Sequence, residues 1–175
     1  MSKVHLSETD YTFLPLGLSS LSDLLSLQEN AFLNIETNDL LRRNSKEVLL
    51  DCLINHYTLG VSYLNQIIAF GILYFGKLTK ENIGYDLDLK EEEVINVANI
   101  KLIIVNSDYY GNGLQKKLIL NLEKEAKRSG YTKLACTISP KNIYSLKNFL
   151  DCGYSFKKQK IKYDGIVRNI YYKNI

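Results

Sequence analysis

A glycine-containing loop follows the most apolar stretch of the chain and carries the clearest chemical signal in the sequence. The loop joins Val105 to Lys116 and has glycines at positions 111 and 113. Glycine lets backbone N–H groups turn toward a ligand, and these groups would meet the positive end of a helix that begins near residue 113. The spacing therefore favours an anion-binding loop, although a turn that merely needs glycine dihedrals gives the same pattern.

Two widespread phosphate-binding patterns do not fit this loop. The sequence has no G-x-x-x-x-G-K-[ST], which excludes a P-loop. It also lacks G-x-G-x-x-G followed about 20 positions later by an acidic residue, which disfavours a dinucleotide-binding Rossmann site.

Hydrophobic spacing predicts the two elements that hold the loop. Residues 93–105 (EVINVANIKLIIV) form an apolar, β-branched run that is typical of a central strand. After the loop, apolar residues recur at every fourth position: Leu114, Leu118, Leu122 and Ala126. This period predicts a helix from Gly113 to Ser129-Gly130.

The same rules predict the rest of the fold. In chain order we expect a strand over residues 11–18, a helix capped by Ser19 or Ser20, a helix over 45–56, and a hairpin of strands 58–64 and 67–78. The central strand and the long helix follow. After them we expect a strand over 131–138, a helix from Ile143 closed by Gly153, and strands over about 154–163 and 166–173. This order predicts an α/β or α+β domain with a mixed sheet and helices on both faces. Hairpins between the middle strands disfavour a purely parallel sheet.

Length and composition indicate a folded chain. With 175 residues, 46% of them hydrophobic and only 2 prolines, the sequence can bury a sizeable core and contains no obvious linker. We therefore expect a single domain over residues 1–175.

Two motifs resemble the GNAT superfamily of acyl-CoA-dependent N-acetyltransferases. In that family a central strand leads into an R/Q-x-x-G-x-G/A loop and a helix, and Tyr110-Gly111-Asn112-Gly113-Leu114-Gln115 occupies this place. A later helix usually carries N-x-x-[SA], an aromatic residue and a Gly-aromatic pair, which Asn142, Ser145, Phe149 and Gly153-Tyr154 match. The resemblance covers residues 95–155 and implies a mixed, mostly antiparallel sheet of about seven strands.

Three positions depart from the family pattern. Tyr110 replaces the usual Arg or Gln, and Gln115 replaces the usual Gly or Ala. Both changes permit an anion-binding loop, because backbone amides provide most of its contacts. Phe149 replaces the Tyr that often serves as general acid.

The resemblance implies acetyl-CoA as cosubstrate. Its pyrophosphate would bind the amides of residues 111–116, and its pantetheine arm would pair like an added strand with the end of the central strand. A backbone N–H near Ile103 or Ile104 would polarise the thioester carbonyl. The expected cofactor-binding residues are Ile103, Ile104, Val105, Tyr110, Gly111, Asn112, Gly113, Leu114, Gln115, Lys116, Asn142, Ser145 and Phe149.

The resemblance also implies direct transfer of an acetyl group to an amine in a ternary complex. An alkyl amine with a pKa of about 10.4 is mostly protonated at neutral pH, so a base must assist. Glu93 is the candidate base, with Glu92 and Asp88 as alternatives. Ser145, one helical turn before Phe149, is the candidate that hydrogen-bonds the departing sulfur.

Other functions stay open. A non-catalytic CoA-binding sensor or scaffold of the same fold is compatible with Phe149 in place of Tyr. The 13 tyrosines suggest an RNA-binding protein, but they form no RNP-like string, and we expect no nucleic-acid partner. A homodimer through exposed C-terminal strands also stays open.

Charge is unevenly distributed along the chain. Residues 111–175 carry 14 Lys or Arg and 4 Asp or Glu, a net charge of +10, whereas residues 1–110 carry 8 and 15, a net charge of −7. This asymmetry suggests an anionic ligand on the later half and a cationic acceptor facing the earlier half.

The sequence predicts a cytoplasmic protein without a metal. No run approaches the roughly 18 consecutive apolar residues of a membrane span, and MSKVHLSETD lacks the apolar stretch of a secretion signal. The three cysteines form no C-x-x-C pair, which fits reduced, non-catalytic thiols. The two histidines have no partners at metal-ligand spacing.

Overall fold

A computed structural model describes residues 3–37, 39–163 and 165–175. Within these residues a seven-stranded sheet has the strand order β1-β2-β3-β4-β5-β7-β6. The strands are β1 (Thr12–Pro15), β2 (Tyr57–Tyr63), β3 (Gln66–Tyr74), β4 (Val97–Val105), β5 (Lys133–Ile138), β6 (Ser155–Lys162) and β7 (Ile166–Asn174). The helices are α1 (Leu21–Leu33), α2 (Lys46–Asn55), α3 (Glu91–Val94), α4 (Leu114–Arg128) and α5 (Ile143–Asp151). Short 3₁₀ turns lie at Leu18–Ser20, Ile83–Leu87 and Ser107–Tyr109.

The sheet is mixed and mostly antiparallel, as predicted. Neighbouring strands pair in antiparallel fashion except β4 and β5, which run parallel. They run parallel because α4 carries the chain back across one face of the sheet between them. Strands β1 and β6 lie at the two edges, and β7 lies between β5 and β6.

Two apolar layers cover the sheet. On one face, α4 packs its buried stripe, which includes Leu118 and Leu122, against β3 and β4, with α5 beside it. On the other face, α1 and α2 bury Leu24 and Leu49 against Phe70 and its neighbours. The two layers hold the ends of β4, α4 and α5 in fixed relative positions.

The predicted element order is confirmed, with shifted boundaries. The central strand begins at Val97 rather than residue 93, because residues 91–94 form α3. The second strand of the hairpin ends at Tyr74 rather than residue 78. The hairpin turn lies one residue earlier than predicted, at Leu64 and Asn65, which both have positive φ (47° and 61°) as a type I′ turn requires.

No helix in the described part of the chain is long and apolar enough to cross a membrane.

Candidate active site

A gap opens in the sheet between β4 and β5. Their parallel pairing covers only three positions, Val97 to Asn99 against Lys133 to Ala135. Just beyond, the register between β3 and β4 shifts so that Lys101 is an extra residue, which forms a β-bulge. The bulge bends β4 away from β5, and a cleft with a cavity volume of about 110 Å³ lies between them.

Strand β4 presents free backbone groups to this gap. The N–H of Asn106 donates to the carbonyl of Ile68 at 2.9 Å, so position 106 bonds to the β3 side. Because the bonding direction alternates along an antiparallel ladder, Ile104 also bonds toward β3. The N–H and C=O groups of Ile103 and Val105 therefore face the gap. This corrects the sequence assignment of Ile104, whose side chain is also buried in the core.

The glycine loop leads into an open helix N-terminus. Gly113 is the N-cap of α4 with φ of +68°, and Gly111 has φ of +93°, so both adopt a conformation that favours glycine. No side chain caps the helix, and its first turn holds no acidic residue. A Cβ built on either glycine would have no protein atom within 4 Å. The first N–H groups of α4 thus face open space that an anion can occupy.

The side chain of Asn112 forms hydrogen bonds within the protein, and the role expected of its backbone amide stays a prediction. Its Oδ1 accepts from the N–H of Leu6 at 2.8 Å, and its Nδ2 donates to the carbonyls of Val4 and Tyr109 at 2.7 and 2.9 Å. These bonds fasten the N-terminal segment to the glycine loop. Only the backbone of Asn112 is left for a ligand. Tyr110, at the position of the family's Arg or Gln, is 40% exposed.

Gln115 joins α4 to α5 at the wall of the cleft. Its Nε2 donates to Ser145 Oγ at 3.0 Å, and its Oε1 accepts from Asn148 Nδ2 at 2.7 Å. Asn142 caps α5 by accepting from the Ser145 N–H at 3.0 Å. Gln115, Asn142 and Ser145 all line the cleft. Gln115, which replaces the small residue usual in the family, therefore holds Ser145 in position through a hydrogen bond.

The two lysines that follow the glycine loop form ion pairs with carboxylates. Lys116 lies 3.6 Å from Asp151 and Lys117 lies 3.2 Å from Glu8. Lys117 also donates to the hydroxyl of Tyr11. Lys116 lies in the first turn of α4, and its side chain is 43% exposed.

Two residues with apolar or neutral side chains complete this wall. Phe149 lines the cleft and packs edge-on against Tyr154 with ring centroids 5.0 Å apart. Cys136 also lines the cleft, but burial raises the pKa of its thiol well above the usual range. The thiol is therefore protonated at neutral pH and a poor nucleophile.

Glu93 does not line the cleft. Its Oε2 accepts from the N–H of Lys90, the N-cap of α3, at 3.2 Å. Glu92 is exposed, and Asp88 pairs with Lys157 and Lys158. Among the described residues, the carboxylate that lines the cleft is Glu81.

Most of the chain matches the sequence model of one protein family. Residues 21–154 match the sequence model of the acetyltransferase (GNAT) family. The chain belongs to the GNAT acetyltransferase family. Among curated proteins, none matches this sequence.

Solved structures share the GNAT fold at low sequence identity. A GCN5-related N-acetyltransferase from Kribbella flavida has a TM-score of 0.74 at 11% identity, over 97% of this chain and 100% of that one. A ribosomal-protein-alanine N-acetyltransferase from Brucella melitensis has a TM-score of 0.72 at 16% identity, over 94% and 99%. The putative acetyltransferase YncA from Salmonella typhimurium, solved with its cofactor acetyl-CoA, has a TM-score of 0.69 at 14% identity, over 94% of each chain.

Cationic residues outside α4 and α5 also line the cleft. The side chains of Arg42, Lys101 and Arg168 line it, against the single carboxylate of Glu81. The guanidinium of Arg42 lies 4.1 Å above the ring of Tyr163. The earlier half of the chain is acidic overall, but of the charged residues that it contributes to the cleft two, Arg42 and Lys101, are basic and one, Glu81, is acidic.

Sequence reasoning missed these residues. Arg168 lies on the same face of β7 as Ile166 and Ile170. A charged residue at a position that the strand pattern assigns to the core could have identified Arg168 as a functional candidate. Asn99 is a polar residue inside an apolar run and is 2% exposed. For Glu81 and Arg42, which lie on loops, no periodicity exists that could place them.

Proposed function

We propose that this GNAT protein transfers the acetyl group of acetyl-CoA to an amine by direct attack in a ternary complex. The observation that carries the proposal is the gap between β4 and β5. The open N-terminus of α4 lies at one side of the cleft and polar side chains lie at the other, so two substrates can meet at its centre.

Backbone groups at the start of α4 and at the end of β4 are suited to bind CoA. The N–H groups of the first turn of α4 and the ammonium of Lys116 suit the pyrophosphate. The free groups of Ile103 and Val105 suit an extended pantetheine arm, which would add to β4 as a strand does. The N–H of Ile103, just after the bulge, is placed to stabilise negative charge on the thioester oxygen.

Ser145 suits the proton step at sulfur. Because Gln115 Nε2 can only donate, Ser145 Oγ is the acceptor of their bond, and its own proton is left to donate elsewhere. A thiol of pKa about 8.5 is a tolerable leaving group, so a hydrogen bond together with water can suffice in place of a tyrosine.

Glu81 is our candidate for receiving the proton of the amine, directly or through water. Its side chain is 58% exposed and lies 3.9 Å from Arg42, so it can pass the proton to bulk solvent. The protonated thiol of Cys136 argues against an acyl-cysteine intermediate, which favours direct attack over a two-step route.

The test is a panel of small amines, amino acids and peptides incubated with acetyl-CoA while free thiol is measured. We expect thiol release that depends on at least one acceptor, and expect Gly113→Val to abolish it. CoA binding without thiol release for any acceptor would instead support a CoA-binding sensor or scaffold.

A further inference from the structure

We call the part of the cleft lined by Arg42, Asn99, Lys101, Arg168 and Glu81 the acceptor mouth, and among the described residues it contains a buried cation, Arg168, without an ion-pair partner. Arg168 is 3% exposed and lines the cleft, and one of its N–H groups donates to the backbone carbonyl of Asp39. Within residues 3–37, 39–163 and 165–175, no carboxylate oxygen lies within 4.0 Å of its guanidinium. A buried guanidinium has five donors, and leaving most of them without a partner is costly.

A second cation shares this part of the cleft. Arg42 shares the mouth and its own carboxylate partner, Glu81, lies at the long distance of 3.9 Å. Burial lowers the pKa of Arg168, the neighbouring Tyr163 and Asp39 raise it, and the weaker contribution of Arg42 lowers it. Arginine stays protonated at neutral pH. Two like charges therefore line one cavity.

The mouth also offers an unused acceptor. Asn99, at the point where β4 and β5 separate, lines the cleft, and its buried Oδ1 has no hydrogen-bond partner among the described residues. An amide oxygen accepts from N–H groups, whereas a guanidinium donates to anions. The two together complement a ligand that carries an amine and an anion.

We infer that the acceptor is an amine that also carries a carboxylate, as an amino acid or a peptide with a nearby carboxylate does, and that Arg168 and Arg42 bind this carboxylate. The inference rests on the proposed acetyl transfer and names its substrate class. A carboxylate presents two coplanar oxygens that match the donor fork of arginine. A polyamine, with charges of the same sign as the mouth, would be repelled.

The experiment compares acceptors that differ only in the carboxylate: L-phenylalanine, L-phenylalaninamide and 2-phenylethylamine, with the same triplet built on L-leucine, and 2-aminoethyl phosphate as a phosphate-bearing amine. We expect kcat/KM for the carboxylates to exceed that for the amides and simple amines at least about tenfold, the effect of one charged hydrogen-bonded pair. Arg42→Gln and Arg168→Gln should each remove most of this preference, seen chiefly in KM.

Arg43→Gln is the matched control. Arg43 stacks on Phe32 and pairs with Glu29 outside the cleft, so the preference should be unchanged. If Arg168→Gln fails to fold, Arg42→Gln, whose side chain is 38% exposed in the native protein, gives the result alone. Equal transfer to all three acceptors of a triplet, a better rate with the phosphate, or an unchanged preference in the variants overturns the inference while leaving acetyl transfer standing. Absence of transfer to every amine overturns both.

Discussion

The hydrogen bonds around Ser145 determine that its hydroxyl oxygen accepts and that its proton is left to donate. Gln115 donates to it, and Asn148 in turn donates to Gln115, so the direction of the chain of hydrogen bonds is fixed. A proton pointing into the cleft can stabilise charge that develops on a departing sulfur. This contact would strengthen as the thioester bond breaks, so its loss should affect turnover more than binding.

Ser145→Ala should therefore lower kcat about tenfold, with the dissociation constant for CoA changed less than about threefold. The control is Ser129→Ala at the far end of α4, where the hydroxyl contacts only Glu125. Steady-state kinetics and calorimetric CoA titrations check the prediction. Equal losses in CoA affinity, with kcat unchanged, would assign Ser145 to cofactor binding alone.

Phe149→Tyr should leave kcat unchanged or raise it modestly. The side chain lines the cleft and is 4% exposed, so a hydroxyl added at the ring would supply a phenol where related enzymes carry one. Comparing kcat of the variant and the parent with one acceptor measures this. A large fall in kcat with normal folding would mean that the cleft depends on an apolar ring there.

At the scale of elements, the N-terminus of α4 is the feature on which the proposed CoA binding depends. Gly113→Val should abolish CoA binding, because the added side chain enters the open space in front of the first-turn N–H groups. A β-branched residue at φ of +68° should also cost about 1–3 kcal/mol of stability. Calorimetry with CoA and urea denaturation measure the two effects.

Gly130→Val is the matched control for this helix. Gly130 follows α4 at its other end, has φ of +84° and likewise has no atom within 4 Å of a built Cβ. The strain should be similar, but CoA binding should persist. If both variants bind CoA normally, Gly113 is only a turn residue.

Helices with a strong hydrophobic period could be predicted from the sequence. A helix whose start depends on a local hydrogen bond could not. The fourfold repeat of leucines gave α4 to within a residue or two. By contrast, residues 91–94 continue without a break into the β-branched run, and the hydrogen bond from the Lys90 N–H to Glu93 Oε2 marks the start of a separate helix. The boundary error placed Glu93 next to the strand as a candidate base.

At the scale of the molecule, Asp86 ties the 3₁₀ turn at Ile83–Leu87 to the edge strand β6. Its carboxylate is 3% exposed and accepts from Lys160 at 2.6 Å and from Lys162. Burial alone raises the pKa of Asp86, but the hydrogen bonds from the two lysines outweigh it, so the pKa is lowered. A carboxyl with a lowered folded pKa stabilises the protein above its unfolded pKa of about 3.9, and that contribution is lost as the pH falls through the folded value.

Asp86→Asn should lower the free energy of unfolding at pH 7 by about 2 kcal/mol, the worth of a hydrogen bond to a charged group. The difference from the parent should shrink below about pH 4 as the parent's carboxyl is protonated. Urea denaturation at pH 7 and in steps below pH 4 measures this. Asp88→Asn removes an acceptor of two lysines that is 63% exposed, so its effect should be smaller. A constant difference at every pH would contradict the linkage.

The acceptor mouth is a property of the whole molecule and could not be read from local sequence. Arg42, Asn99 and Arg168 come from a loop, a central strand and a late strand, and only the completed sheet brings them to one cavity. The residues proposed for the CoA side could be identified from the sequence because they belong to one contiguous loop and one short helix motif. Tertiary pairing of distant segments has no comparable signature in a single sequence.

Initial rates of thiol release, measured while acetyl-CoA and one working amine are both varied, test the central claim most directly. Direct attack in the β4–β5 cleft requires both substrates to be bound at once, so we predict intersecting double-reciprocal lines and thiol release that stops without amine. Parallel lines, or thiol release that is independent of the amine, would contradict the account.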